Sequence, residues 1–369
     1  MFFNEDKFFN IFENTDKLTF DKFYKKFKVK TSNKVISLED YKVSKSDTKP
    51  LYDHIIKKDE YLKRFFDTSL DFPKDISIQE KAMTSKKLDN NEQVKYKNLI
   101  RNLHFKEILK NTASGFDNHP TFLNVLEDLY NKNIIDYKLL TPSALHYIKD
   151  NRTGSVFSSF YFRASIMNPY LVYSLNHSVL KGKKIFTPTL GWSSYCYGFL
   201  ECPYVEEYVG TDVIKSVCKK TESFAKKYYP NKKVEIFDSP SESLRHDKKF
   251  IKKYKNHFDV VFFSPPYYKL ELYSGKNQST TLYRSYEEWL EKYWEETVIL
   301  CKEVLEKNGK MCYILSGYGK DLEFDLIKDM NKVAKKHFKL LKIIPMYNKN
   351  ANMTQHRETD EKIIIFVNK

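Results

Sequence analysis

The stretch Phe258 to Tyr268 (FDVVFFSPPYY) sets a hydroxyl, two prolines and a tyrosine directly behind an apolar run. Each proline fixes its own φ, and Pro266 also biases Pro265 toward extended backbone, so the carbonyls of Ser264 and Pro265 are held in set directions. Neither proline has an N–H to compete for those acceptors. A hydroxyl and a carbonyl so held can accept both N–H bonds of an exocyclic amino group whose lone pair is otherwise delocalised into its ring. Holding both hydrogens pulls the nitrogen toward a tetrahedral shape and frees the lone pair for attack. Tyr267 adds a flat face on which a flipped-out base can stack. Four residues alone also describe a proline-stiffened turn after a core strand, so the surrounding elements decide.

Those elements read as an alternation of strands and helices from about residue 150 onward. Val260 to Phe263 is an apolar run halted by prolines, the pattern of a buried strand whose carboxyl edge opens into a rigid loop. Before it, a helix-like stretch ends near Lys181 and Gly182, and Lys184–Phe186 is a short strand. Thr187-Pro-Thr-Leu-Gly-Trp192-Ser-Ser194 then forms a small-residue loop, and a helix begins near Tyr195. Strand, loop and helix in that order make a ligand cradle, because small residues let the backbone approach closely. Val205–Asp212 is the next strand. It ends in an acid about twenty residues after the loop, where nucleotide folds place the carboxylate that holds both ribose hydroxyls. Lys233–Asp238 is a third strand, followed by the polar loop Ser239 to Glu242. Behind the motif, Lys269 to Arg284 is too long for a simple connection and reads as a lid or target-contacting loop. Ser285 to Lys307 is an amphipathic helix with Ser285 as N-cap, Glu288 completing a capping box and Gly309 past its end. Lys310–Ser316 is a strand, Leu322–Phe338 a helix, and Leu340–Met346 and Lys362–Val367 are two final strands with no helix between them.

Taken together, these segments resemble the S-adenosylmethionine-dependent amino-methyltransferases that modify N4 of cytosine or N6 of adenine. Their motif is Asp, Asn or Ser followed by Pro-Pro and an aromatic residue, which Ser264, Pro265, Pro266 and Tyr267 match. The closing strand pair also marks methyltransferases among doubly wound folds. The resemblance covers residues 150 to 369 and implies an α/β fold with a Rossmann-like seven-stranded sheet, S-adenosylmethionine as cofactor and no metal. It places Phe162 and Arg163 in the segment facing the methionine end of the cofactor. Thr187, Pro188 and Gly191 fall in the cofactor loop, Asp212 takes the ribose role, and Asp238 or Ser239 lies near the adenine amino group. The loop departs from the family's Asp-Pro-x-x-Gly-x-Gly: Thr187 stands where the acid is expected and Ser193 replaces the later glycine. Serine in the first motif position leans slightly toward cytosine.

The 369 residues carry a formal charge of +15 together with 27 Tyr and 28 Phe, a balance that suits a polyanionic partner, DNA first and RNA second, or the codon bias of an AT-rich genome. Residues 1–140 are read as a mainly helical accessory region, possible target recognition included, and 141–369 as the methyltransferase domain. Phe20–Phe27, Leu51–Phe66 and Leu99–Leu109 set aromatics and lysines at helical spacing, as core stripes or as nucleic-acid contacts. Lys74–Lys95 reads as a mobile connector. Five cysteines without a C-x-x-C pair suggest reduced thiols in an intracellular protein. Neither a signal peptide nor a membrane span is expected. A protein of this fold that binds nucleic acid without catalysis is the alternative, motivated by Thr187. Oligomeric state is not readable from the sequence.

Overall fold

The computed structural model describes residues 1–13, 18–115, 120–273, 275, 277–317, 324–349 and 356–369. The chain forms two compact units, Met1–Asp71 with Arg101–Ser165, and Phe72–Ile100 with Ile166–Lys369. The boundary expected at residue 140 thus falls inside the first unit. Its physical cause is the helix Thr153–Phe160, whose Phe157 ring lies 5.4 Å from Tyr61 and 6.1 Å from Phe122.

The second unit is built on seven strands: β1 (Lys184–Thr187), β2 (Glu207–Asp212), β3 (Lys233–Asp238), β4 (Phe258–Phe263), β5 (Leu305–Leu315), β6 (Lys339–Lys349) and β7 (His356–Val367). Their order is β6-β7-β5-β4-β1-β2-β3. Each neighbouring pair is parallel except the two made by β7, which runs antiparallel between β5 and β6. This is the Rossmann-like seven-stranded sheet expected, down to the closing antiparallel pair. The strand order reverses direction between β1 and β4, and the crevice outside the carboxyl ends at such a switch point is where open α/β sheets bind ligands. β4 sits at the centre because it is apolar on both faces: Val260, Val261, Phe262 and Phe263 are all buried. At the opposite edge the Asp259 carboxylate accepts the N–H groups of Lys183 and Lys184 at 2.9 to 3.1 Å, fixing β1 against β4.

Two differences from the expected elements have local causes. The helix opening at Tyr286 ends at Val304 and β5 starts at once. Asn308 takes φ +67, and the register shifts between Leu305 and Lys310, so Gly309 lies in a bulge of β5 and is no helix stop. At the helix start, Ser285 Oγ accepts from Glu288 N–H at 3.1 Å, while the Glu288 carboxylate reaches the Arg284 N–H at 2.8 Å, one residue before the box predicts. The helix after β5 is described as Leu326–His337; the first residues predicted for it, and Ser274 and Lys276 of the polar loop, lie outside the described residues.

Residues 72–100 are the larger surprise. They are tied down along the second unit: Ile78 N–H donates to Glu201 Oε2 (2.6 Å), Met83 N–H to Ser174 Oγ (3.0 Å), and Tyr347 N–H to the Leu88 carbonyl (2.9 Å). Asn90 N–H returns to the Tyr347 carbonyl at 3.1 Å. Polar composition suggested mobility, but main-chain groups of Ile78, Met83, Leu88 and Asn90 hold the segment down.

The first unit is mainly helical, with a small sheet of Val35–Ser37, Lys28–Lys30 and Ile134–Asp136. Its aromatic spacing serves the core. Phe23, Phe27, Leu51, Leu62, Phe65 and Phe66 are buried, and the Phe8 ring contacts Phe12, Phe65, Phe66 and Phe105 within 6 Å.

Candidate active site

At the carboxyl end of β4, Ser264 leaves the sheet half-buried with Pro265 buried behind it. Its hydroxyl donates to the Ile314 carbonyl of β5 at 3.1 Å. The single hydroxyl proton is thereby committed to the sheet, and toward any further partner Ser264 Oγ can only accept. The Ser264 N–H is taken by Tyr195 Oη at 3.1 Å, and the Ser264 carbonyl lies 3.5 Å from Thr189 Oγ1. Tyr267, also half-buried, has its hydroxyl anchored by the Ser316 N–H at 2.9 Å. Burial pushes its phenol pKa up, so it stays neutral. Tying down the hydroxyl fixes the ring plane, which a stacking platform requires.

The cofactor-type loop follows β1 on the neighbouring side of the switch point. Three successive residues, Gly191 (φ +50), Trp192 (φ +59) and Ser193 (φ +69), adopt left-handed backbone. Glycine is required at the first of them: a Cβ on Gly191 would collide with the Tyr195 ring. Ser193 holds the later glycine's position through a 2.6 Å hydrogen bond between its hydroxyl and Thr221 Oγ1. Thr187 is fully buried, its Oγ1 2.6 Å from Tyr208 Oη of β2. The departure from an acid at this position therefore has a structural partner: a carboxylate here would be buried against a phenol. Gly210 of β2 makes room for both Thr187 and Leu190, since a Cβ there would lie 2.9 Å from Thr187 Oγ1.

Asp212 ends β2. Its Oδ2 accepts from Leu190 N–H at 3.1 Å and its Oδ1 from Ile214 N–H at 3.0 Å. Burial raises its pKa against the pull of those N–H groups, and the charge of Asp238 adds to the rise. Each oxygen keeps a second lone pair for a ligand hydroxyl. Ser239 N–H donates to the Asp212 carbonyl at 3.0 Å, and Asp238 is exposed beside it. The structure thus brings Thr187, Pro188, Gly191, Asp212, Asp238, Ser239 and Ser264 to Tyr267 onto one sheet edge. Phe162 and Arg163 fold with the first unit instead. The Phe162 carbonyl accepts the Phe122 N–H at 2.9 Å, and the Arg163 guanidinium lies 5.9 Å over the Phe122 ring. Their expected role beside the cofactor gains nothing from those contacts.

Sequence reasoning missed Thr189 and Tyr195, which grip the Ser264 main chain, and Tyr273, whose ring meets Trp192 edge-on at 5.8 Å. No local pattern marks Tyr195, because the Ser264 it grips lies 69 positions further along the chain. Glu271 and Tyr273 are hydrogen-bonded to each other, and through the Tyr273 ring the segment after the motif meets Trp192 of the cofactor-type loop. Among the described residues no cluster of three or more metal-ligating side chains occurs, and no helix is long and apolar enough to cross a membrane. All five cysteines are buried free thiols.

No family profile and no curated protein matches the chain. Among solved structures it is similar to TrmN from Thermus thermophilus (10% identity, TM-score 0.36, 55% of this chain and 49% of that one). It is also similar to a methyltransferase from Pyrococcus furiosus (18%, TM-score 0.36, 55% and 83%). A third is the N-methyltransferase NodS from Bradyrhizobium japonicum, solved with S-adenosyl-L-homocysteine (8%, TM-score 0.35, 54% and 83%). The matched part spans about half the length of the TrmN chain. At these identities the likeness concerns fold alone.

Proposed function

We propose that this protein is an S-adenosylmethionine-dependent amino-methyltransferase acting on a nucleobase in nucleic acid, with DNA as the substrate and cytosine N4 or adenine N6 as the target. The observation that carries the reading is the hydroxyl of Ser264, made acceptor-only by its bond to the Ile314 carbonyl and standing at the switch point beside the Gly191 loop. With the Pro265 carbonyl it takes the two amino hydrogens of the target. Tyr267 stacks the base, and Asp212 receives the ribose hydroxyls. Asp238 and Ser239 stand near the adenine, and the loop from Thr187 to Ser193 faces the methionine end. When bound, the cofactor supplies a sulfonium methyl group: the C–S bond breaks as the C–N bond forms, leaving a thioether, and the nitrogen then loses its extra proton to solvent. Most of the rate comes from orientation and in-line approach. Thr187 offers the methionine ammonium no charge, so affinity rests on the ribose and adenine contacts.

Transfer of labelled methyl to double-stranded DNA, single-stranded DNA and RNA, followed by digestion to nucleosides, tests this directly. Label in N4-methylcytosine or N6-methyladenine from DNA supports it; label from RNA alone moves the substrate to RNA, where an unpaired base needs no extrusion. A second reading, a nucleic-acid-binding protein without catalysis, is favoured by the buried Thr187–Tyr208 pair in place of the loop acid. Calorimetry separates the two: no heat of S-adenosylmethionine binding at millimolar concentration would leave only the second.

A further inference from the structure

Tyr195 belongs to the helix Ser194–Leu200 behind the cofactor-type loop, yet its hydroxyl is spent on the motif. Two hydrogen bonds tie the loop to Ser264: its N–H donates to Tyr195 Oη (3.1 Å), and the Thr189 hydroxyl donates to its carbonyl (3.5 Å). Both main-chain polar groups of Ser264 are thus held by residues that flank Gly191. The Tyr195 side chain cannot shift independently of that loop, since its ring occupies the space a Gly191 Cβ would need and stands edge-on to Phe262 at 5.0 Å. Burial holds the phenol protonated, and its oxygen accepts the Ser264 N–H.

We infer that Tyr195 and Thr189 are positioning residues that transmit the state of the loop 188–193 to the amino-group clamp at Ser264. Ordering of the loop by cofactor tightens both contacts to the Ser264 main chain and aims the Ser264 hydroxyl and the Pro265 carbonyl. By linkage, occupancy of the clamp strengthens cofactor binding by the same factor. Tyr195 touches neither reacting atom. The inference rests on the amino-methyl-transfer reading for its meaning, but its test does not require nucleic acid.

Hydrogen exchange read by mass spectrometry on the whole chain follows the peptide containing Ser264, in which Tyr267 and Tyr268 are the only later amides before Lys269. Adding S-adenosyl-L-homocysteine is expected to slow exchange in residues 188–193 and at Ser264 together. In Tyr195→Phe and Thr189→Val the loop is still protected, the Ser264 response is lost, and Thr189→Ser restores it. In methyl transfer both variants lose kcat by about 10- to 100-fold, as expected of a misplaced clamp, with cofactor KM changed less than about threefold. The double variant is no worse than either single one, the mark of one shared device. A Ser264 response that survives in Tyr195→Phe overturns the inference, as does loop protection in the unaltered protein with no response at Ser264, or no cofactor effect anywhere. Full coupling in a protein that methylates no nucleic acid removes the transfer reading and leaves the coupling standing; transfer without coupling does the reverse.

Discussion

The two loops that flank the switch point were written under different rules. The one after β4 keeps the expected residue types in every position, and its chemistry depends on them: a hydroxyl, two rings without N–H groups and an aromatic face. The one after β1 keeps a shape. Where the resemblance expects an acid it has a buried threonine, and where it expects a second glycine a serine, while the backbone runs through three left-handed residues. Cradling a ligand with backbone requires a path, which several side chains can sustain when neighbours such as Thr221 and Tyr208 hold them. Gripping an amino group requires particular atoms.

That contrast can be broken by restoring residue type at the expense of shape. Thr187→Asp would recreate the expected acid but bury a carboxylate against Tyr208, with an expected loss of about 3 kcal/mol in denaturant unfolding and no gain in cofactor affinity. Tighter cofactor binding in this variant would show that type matters in both loops. Ser264→Ala removes a preorganised polar contact and should lower turnover about 100-fold with cofactor affinity preserved, as single-turnover kinetics and calorimetry would report. Asp212→Ala should raise the cofactor dissociation constant about 10- to 100-fold, the usual worth of hydrogen bonds to a charged group. The pH dependence has a definite sign. Burial raises the folded-state pKa of Asp212, so the charged acceptor is lost on acidification earlier than for an exposed carboxylate. Cofactor affinity therefore falls with pH starting above the ordinary range near 4, and Asp212→Asn should flatten that fall. The same shift means that the protonated acid favours folding, a contribution present below the unfolded pKa and lost as pH rises through the folded one.

Tyr267→Ala should weaken target binding by about 1 to 3 kcal/mol through lost stacking, read by titration of single-stranded oligonucleotide in the presence of S-adenosyl-L-homocysteine. Ser193→Gly is the gentlest probe. It relieves left-handed backbone worth about 1 kcal/mol and gives up a hydroxyl contact of similar size, so stability should move by less than about 0.5 kcal/mol and cofactor affinity hardly at all. A large loss would mean that the hydroxyl, and not the path, sustains the loop.

Much of the sheet could be read from residues. Lys233–Asp238 was placed to the residue because a polar turn precedes it and Ser239-Pro240 follows. β4 was clear because an unbroken apolar run meets two prolines. The closing pair lacked an intervening helix, which fixed its antiparallel course. The unit boundary was not readable, because Thr153–Phe160 carries an apolar face like any core helix and nothing local says which core receives it. Nor was the anchoring of residues 72–100. Single contacts from Ile78, Met83 and Leu88 to distant partners leave no periodic trace. Within the candidate site, motif and spacing put Ser264 and Asp212 at the carboxyl ends of β4 and β2, where they lie. Tyr195 could not be placed so, because its partner lies 69 positions away along the chain.

The pairing of Leu88 and Asn90 with Tyr347 bears on how the protein can be cut. β6 is the outermost strand of its sheet, and residues 88–90 cap the end of its exposed rim with main-chain bonds. A fragment starting at Ile166 would keep every strand of the seven-stranded sheet yet uncap the end of that rim, with Leu341 and Ile343 already facing solvent along it. Bare rims of this kind recruit other chains. Such a fragment should clump in proportion to its concentration, and the remedy is to retain Phe72 to Ile100, by circular rearrangement if the helical unit is to be removed.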